Sequence, residues 1–385
     1  MITRRKICAI TANRADFSRI ETILRAAQAH PRIELQLVVI GGHLSHNTGR
    51  TVQEIEKKGF HIDRCVETHV DGSTPATMTK SVAKIVDKLV DVITELKPDV
   101  IIAPTDRFET LAIAVAASLM NVIVAHIQGG EVTGTIDESI RHAVTKLSHL
   151  HFVSTKKSRD RVIKMGESKN LVFNVGCPAT DLLLSVPMWT REQTIAELNK
   201  LLEGRSLLDH NKPYILLMQH PVTTEYGQET DQVKSTIAAL NKFDIQVIAL
   251  FPNIDAGGKT ISEILLEQSG RDNFHLFHHI PTEIFVNVLR HAAVQVGNSS
   301  SGIREAGYFG TPVVNIGTRQ NSRERGKNVI SVPNQPQAIE RAVRLSLKRK
   351  RYPIQRLYGD GTAGKQIIKI LSSIKLPPVQ KKITY

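Results

Sequence analysis

Short apolar runs rich in Val and Ile recur along this chain, and stretches with helical spacing separate them. Each run suits a strand buried on both faces and is too short for an ordinary helix. In the first half the runs are Lys6-Ile-Cys-Ala-Ile-Thr11, 35–42, 100–104, 122–126, 151–154 and 172–175. Helical patterns run from about Ser18 to His30 and from Ala76 to Lys97, where Val82, Ile85, Val86, Leu89, Val90 and Ile93 fall close to one face. The second half repeats the scheme with runs at 214–218, 246–251, 275–277, 294–296 and 312–316. Strands alternating with helices need crossover connections and hence parallel sheets. Two such sets predict an α/β fold of two Rossmann-like, doubly wound domains facing a central cleft. The expected division is 1–182, 183–363, and a helix with a tail over 364–385 able to cross back to the first domain. A linker is expected between Pro178 and Pro213, carrying a helix from Trp189 to Leu202.

The 385 residues suffice for two domains of ordinary size. No apolar run approaches the roughly 18 residues that suggest a membrane span. The stretch after the basic N-terminus is too short for a secretion signal. Cys8, Cys65 and Cys177 are too few and too scattered for a disulfide framework or a zinc site, which fits a reducing cytoplasm. The net charge of +13 favours phosphate-bearing partners. Part of it lies in Lys348-Arg-Lys-Arg351, read as a solvated helix end, and in Lys381-Lys382, read as a basic tail. Aromatics make up only 5% and there is no nucleic-acid-binding motif, so nucleic acid is not an expected partner.

Ligands of open parallel sheets bind at the carboxyl ends of strands, and polar residues crowd just after these runs. Thr11-Ala-Asn-Arg-Ala-Asp16 follows the first. It lacks the Gly-rich dinucleotide fingerprint, so no cofactor is expected. Arg14 suits a diphosphate, because a guanidinium holds two oxygens. Asp16 fits either the cleft or a helix N-cap. Next come Asp106 and Arg107, and then Gln128, the pair Gly129-Gly130, Glu131, Asp137 and Arg141. The glycine pair would let backbone approach a ligand, and Asp137 fits either the site or an N-cap. Carboxylates held together can divide acid and base roles. In the second half His220 directly follows a strand, and Asn253 and Asp255 follow another. Asn298, Ser299, Ser300 and Ser301 open a helix able to bind an anion, with Glu305 read on its first turn facing ribose hydroxyls. Arg319 lies past the last run.

On these motifs the chain resembles the hydrolysing UDP-N-acetylglucosamine 2-epimerases of sialic-acid pathways, in particular the epimerase half of the bifunctional animal epimerase/kinase. The segments carrying the resemblance are 13–16, 129–137, 219–224, 297–300, 317–320 and 358–361. No ligand cluster has the spacing of a metal site, so no metal is expected. The resemblance implies a glycosyltransferase-B-like fold, a homodimer or homotetramer, and cleavage of UDP-N-acetylglucosamine to UDP and N-acetylmannosamine. It implies acid–base roles for Asp106, Asp137 and His220. It implies contact with the nucleotide or its phosphates for Arg14, Ser299, Ser300, Glu305 and Arg319, with Asn253 and Asp255 lining the nucleotide side.

Two departures from the pattern stand out. Similar proteins usually carry His-Gly where this chain has Pro104-Thr105, and a carboxylate where it has Gln128. An amide cannot exchange a proton at neutral pH; Glu131 is a candidate substitute. The alternatives are the same chemistry on a UDP- or GDP-linked bacillosamine-type sugar, a two-lobed glycosyltransferase, and a catalytically impaired nucleotide-sugar binder.

Overall fold

The computed structural model describes residues 4–45, 50–72, 74–202, 206–253 and 255–384, and of Arg14 and Ala15 the backbone alone. The chain forms two compact units. One comprises Met1–Glu131, Ile136–Ser185 and Tyr358–Tyr385; the other comprises Val132–Thr135 and Val186–Leu357.

The first unit runs β1 (Arg5–Thr11), α1 (Arg14–Gln28), β2 (Ile33–Ile40), α2 (Val52–Lys57), β3 (Arg64–Val66), α3 (Pro75–Leu96), β4 (Val100–Pro104), α4 (Phe108–Leu119), β5 (Ile123–Ile127), α5 (Asp137–Leu147), β6 (Leu150–Val153), α6 (Lys156–Lys164), β7 (Val172–Asn174) and α7 (Pro178–Ser185). The second runs α8 (Arg191–Asn199), β8 (Tyr214–Met218), α9 (Glu229–Leu240), β9 (Gln246–Leu250), α10 (Gly258–Glu267), β10 (Phe274–Phe277), α11 (Thr282–His291), β11 (Val294–Gly297), α12 (Ser300–Arg304), β12 (Val313–Ile316), β13 (Val329–Val332) and α13 (Pro336–Arg349). The last helix, α14 (Ala363–Leu371), belongs to the first unit.

All strands pair in parallel, in the orders β3-β2-β1-β4-β5-β6-β7 and β10-β9-β8-β11-β12-β13. These are the two doubly wound α/β sheets that the strand–helix alternation predicts. In the first sheet, β4 and β5 are buried along their whole length, which explains why they read as unbroken apolar runs. Ile20, Ile23 and Leu24 of α1 cover one face, together with Ile367, Ile368 and Leu371 of α14. Ile85 and Leu89 of α3 and Ile113 of α4 cover the other. Each fully buried Ile or Leu contributes roughly 1.5–3 kcal/mol.

Three local expectations are corrected. Helix α1 starts at Arg14, not near Ser18, and its N-cap is Asn13 rather than Asp16. Asn13 is extended (φ −160°, ψ 170°) and its side-chain oxygen accepts from the Asp16 amide at 3.1 Å. Asp137 is the first residue of α5, not its cap; Ile136 holds that position with no side-chain cap bond. Glu305 follows the end of α12, which spans only five residues before a 3-10 turn. Packing alone demands glycine at 129 and 130: a Cβ on Gly130 would lie 2.3 Å from the Ser158 carbonyl oxygen, and one on Gly129 would lie 2.9 Å from His126 Nδ1. Strands β3 and β13, each a short sheet edge, escaped the reading of apolar runs.

Candidate functional site

A doubly wound sheet binds ligands where its strand order reverses. That switch lies between β1 and β4 in the first sheet and between β8 and β11 in the second. Of the residues singled out from the sequence, 13–16 follow β1, Asp106 and Arg107 follow β4, His220 follows β8 and Asn298 to Ser301 follow β11, whereas Gln128 to Arg141 follow β5, Asn253 and Asp255 follow β9 and Arg319 follows β12.

In the first unit, Thr105 (φ +63°) and Gln128 (φ +66°) both adopt the left-handed conformation just past strand ends. For residues with a side chain this costs on the order of 1–3 kcal/mol and is kept only where neighbours enforce it. Here the Thr105 amide donates to the Ile127 carbonyl at 3.1 Å and the Gln128 amide to the Phe152 carbonyl at 2.7 Å. The bend after β4 leads directly into Asp106. Arg141 on α5 reaches that carboxylate from inside the fold: Nη2 donates to Asp106 Oδ2, and Nη1 donates to the Glu131 carbonyl and to Glu138 Oε2, each at 3.0 Å. Burial disfavours the cation, but the carboxylates of Asp106 and Glu131 outweigh it and push the Arg141 pKa up. Arg141, expected to bind substrate, is thus buried and committed to Asp106.

His126 lies fully buried between Thr105 and α5. Its Nε2 is 2.7 Å from the Thr105 carbonyl oxygen and its Nδ1 is 3.2 Å from Thr145 Oγ1. Burial lowers its pKa to about 3, so the ring is neutral and braces the Thr105 bend. Gln128 is also buried; its Oε1 accepts from Arg19 Nη1 at 2.9 Å and its Nε2 donates to Cys177 Sγ at 2.6 Å. Glu131 is buried, and Asp137 is half-buried on the first turn of α5.

Asp16 accepts from Asn13 Nδ2 at 2.9 Å, and Asn13 Nδ2 also lies 3.5 Å from Glu109 Oε1. Burial, and then the Glu109 carboxylate, raise the Asp16 pKa to about 8 against the pull of Arg107 and Arg19. Asp16 therefore holds a proton at neutral pH. Arg107 Nε is 3.2 Å from Glu109 Oε2. The side chain of Arg14 lies outside the described residues.

In the second unit, His220 and Asn298 lock β8 to β11. The His220 amide donates to Asn298 Oδ1 at 2.7 Å, and Asn298 Nδ2 donates to the His220 carbonyl at 2.8 Å. His220 Nδ1 accepts from the Asn253 amide at 3.2 Å, so the neutral ring carries its proton on Nε2. Asn253 Nδ2 donates to Asp255 Oδ2 at 2.6 Å. Ser299 caps α12, and Gln295 Nε2 donates to Ser301 Oγ at 2.8 Å. Gly297 (φ +122°) lets β11 pass β8, for a Cβ there would lie 2.1 Å from the Met218 carbonyl oxygen. Arg319 Nη1 and Gln320 Nε2 converge on the Asn298 carbonyl at 3.3 and 2.9 Å. Val132–Thr135 pack within this unit: the Gly134 amide donates to the Arg319 carbonyl at 3.1 Å, and Arg323 Nε donates to the Val132 carbonyl at 3.3 Å. A pocket of about 530 Å³ opens past β12 and β13, lined by Glu225, Thr318, Asn321 and Asn334 among others.

Sequence reasoning missed Arg19, His126 as a brace, and Gln320; each acts through a partner remote in sequence. Asn13 was legible as a polar residue past β1, but the sequence offered Asp16, not Asn13, as a possible cap. Among the described residues there is no cluster of three or more His, Cys, Asp or Glu able to hold a metal, and no helix long and apolar enough to cross a membrane.

The model of the UDP-N-acetylglucosamine 2-epimerase family matches residues 25–372. The chain belongs to this family. Members of the family are enzymes. The UDP-N,N'-diacetylbacillosamine 2-epimerase (hydrolyzing) of Legionella pneumophila is 36% identical over 372 residues, 97% of each chain. The UDP-N-acetylglucosamine 2-epimerase of Neisseria meningitidis is 34% identical over 326 residues, 85% of this chain and 83% of that protein. The structure of the Methanocaldococcus jannaschii UDP-GlcNAc 2-epimerase in complex with UDP-GlcNAc and UDP shares the fold, with a TM-score of 0.80 and 18% identity over 95% of this chain and 99% of that one.

Proposed function

We propose that this chain is a hydrolysing 2-epimerase that converts UDP-N-acetylglucosamine and water to N-acetylmannosamine and UDP, in a sialic-acid-type pathway of the cytoplasm and as a homo-oligomer. The observation that carries the reading is the Arg141–Asp106 pair past β4, which keeps a partly accessible carboxylate beside a buried, permanent cation.

The chemistry requires a base for the C2 proton of the sugar, stabilisation of the departing diphosphate, and a donor that returns a proton to C2 from the opposite face. In the first step the C2–H bond breaks toward a carboxylate, the C1–O bond breaks, and its electron pair leaves with UDP, giving a 2-acetamidoglucal. In the second, water adds its oxygen to C1 and gives up one proton to a carboxylate, while C2 takes a proton from the acid on its opposite face. We assign the base to Asp106, held anionic by Arg141, and the opposing acid–base role to Asp137, with Glu131 beside them in sequence and Gln128 unable to replace a carboxylate. His220, with its proton on Nε2, suits hydrogen-bond donation to the leaving phosphate. Arg14, Arg107, Ser299, Ser300, Ser301 and Arg319 supply further donors; Asp16, Asn253, Asp255, Asn298 and Glu305 complete the nucleotide side. A second reading keeps this chemistry on a UDP-linked diacetylbacillosamine and is supported by the similarity to the Legionella enzyme.

Proton NMR in deuterated water tests both. Incubation with UDP-N-acetylglucosamine should release UDP and N-acetylmannosamine deuterated at C2. Release only from the diacetamido substrate selects the second reading, and nucleotide binding with no release from either sugar overturns the enzyme assignment.

A further inference from the structure

Lys381, read from the sequence as part of a solvated basic tail, is held within the first unit. Its Nζ donates to Glu167 Oε2 at 2.7 Å, to the Lys146 carbonyl at 2.9 Å and to the Ser148 carbonyl, and lies 3.5 Å from the Thr145 carbonyl oxygen. Those carbonyls end α5 and its C-cap. The Lys146 and Ser148 carbonyls are among the acceptors a helix end leaves without internal partners, at the negative end of its dipole, while the Thr145 carbonyl also accepts from the Ser148 amide at 3.2 Å. Lys381 is therefore a C-terminal cap brought from more than two hundred residues away.

The cap is itself anchored. Glu167, almost fully buried, also accepts from Lys146 Nζ at 2.6 Å and lies 3.0 Å from His151 Nε2. His149 Nδ1 accepts from the Val124 amide at 3.1 Å, so its Nε2 carries the proton that bonds the Val379 carbonyl at 2.9 Å. Beyond Lys381, the Thr384 amide donates to the Gly166 carbonyl at 2.9 Å. Gly166 has room for the tail only because it lacks a side chain: a Cβ there would lie 2.4 Å from Ile383 Cγ1. Three separate contacts thus tie the segment to His149 just before β6, to the end of α5, and to the turn after α6.

Asp137 opens α5, Arg141 lies at its middle, and its last turn carries Thr145, which bonds His126 beneath the Thr105 bend. A rod of eleven residues spans about 16 Å, and fixing one end sets the register of the other. We propose that Lys381 is a positioning residue: by capping α5 it holds Arg141 on Asp106, and the segment 379–384 is a strap for the candidate site. The effect on turnover rests on the function proposed above; the effect on Arg141 does not.

The test is Lys381→Met in the full chain, which keeps most of the apolar stem and removes the ammonium, with Lys381→Arg as the conservative variant. Expected are faster amide exchange over Ile140–Leu147, a shifted or broadened Arg141 side-chain NMR signal, and kcat lowered on the order of tenfold with KM nearly unchanged, the scale of a slightly misplaced catalytic group. Lys381→Arg should restore much of each. Exchange within β8 and β11 of the second unit should not change. An unaltered Arg141 signal overturns the proposal, as does an unchanged kcat in a protein that turns over substrate. If the native chain releases no UDP from either sugar, the function fails, while the Arg141 signal still decides the strap.

Discussion

Arg141 is wholly buried, and the carboxylate it grips, Asp106, keeps about a sixth of its side chain exposed at 17%. Replacing Arg141 with Met removes the buried guanidinium from Asp106. Losing one partner of a buried pair costs about 3–5 kcal/mol, and the partial exposure of Asp106 moves the expected loss to the lower end. The carboxylate should also titrate at higher pH. If Asp106 is the base, the rising limb of the kcat/KM–pH profile moves to higher pH and turnover near neutrality falls by roughly two orders of magnitude. An Arg141→Met profile that superposes on the native one would remove Asp106 from the proposed chemistry.

The strand–helix alternation was legible because β4, β5, β8 and β11 are buried on both faces, so that nearly every residue in them is apolar. Strand β3 has three residues and an exposed edge, which leaves no pattern to read. Polar residues past strand ends were legible for the same topological reason. Their partners were not. Nothing local distinguishes Arg141, buried on Asp106, from an arginine facing solvent, and nothing local separates Lys381 from Lys382. The choice of Asn13 over Asp16 as cap depends on where α1 begins, which helical periodicity fixes only to within a turn.

Asn298 joins β11 to β8 through two bonds to the backbone of His220. Asn298→Ala leaves an amide and a carbonyl beside a buried strand end, at a cost of about 1–3 kcal/mol. The expected result is a lower thermal midpoint with weakened UDP binding, because His220 loses its fixed orientation. Asn298→Asp keeps the acceptor and loses the donor, so it should fall between the two. Calorimetric titration with UDP checks the order; native-like affinity in Asn298→Ala would exclude the positioning role.

Gln128 is held by Arg19 through its oxygen and by Cys177 through its nitrogen. Gln128→Glu strengthens the first contact, since a carboxylate meets a guanidinium, and loses the second. Turnover should rise if a proton-exchanging group at this position limits the reaction, and the gain should require Arg19. Equal turnover in Gln128→Glu and the native chain would mean that the amide serves only to hold Arg19 of α1.

Acid should destabilise the first unit well before carboxylates titrate. His126, His149 and His151 lie on or beside β5 and β6, and burial lowers the pKa of each, for His126 to about 3. Their unfolded value is 6.5. Below that pH the unfolded chain binds protons that the folded chain refuses, so stability falls as pH drops. The loss begins near 6.5 and is complete for His126 only near 3. Glu167, lowered from 4.5 to about 2 by His151, Lys146 and Lys381 despite its burial, adds a loss in the same direction over the lower window. Asp16 acts in the opposite sense: its pKa is raised from 3.8 to about 8, so the stability it contributes is whole below 3.8 and is lost as pH rises toward 8. Denaturant midpoints measured between about pH 8 and pH 4 should therefore pass through a maximum near neutrality and decline from about pH 6.5 downward. His126→Asn, which cannot be protonated, should flatten that decline at the cost of some stability at pH 7. A native midpoint unchanged between about pH 7 and pH 5 would mean that these histidines reach water before the fold opens.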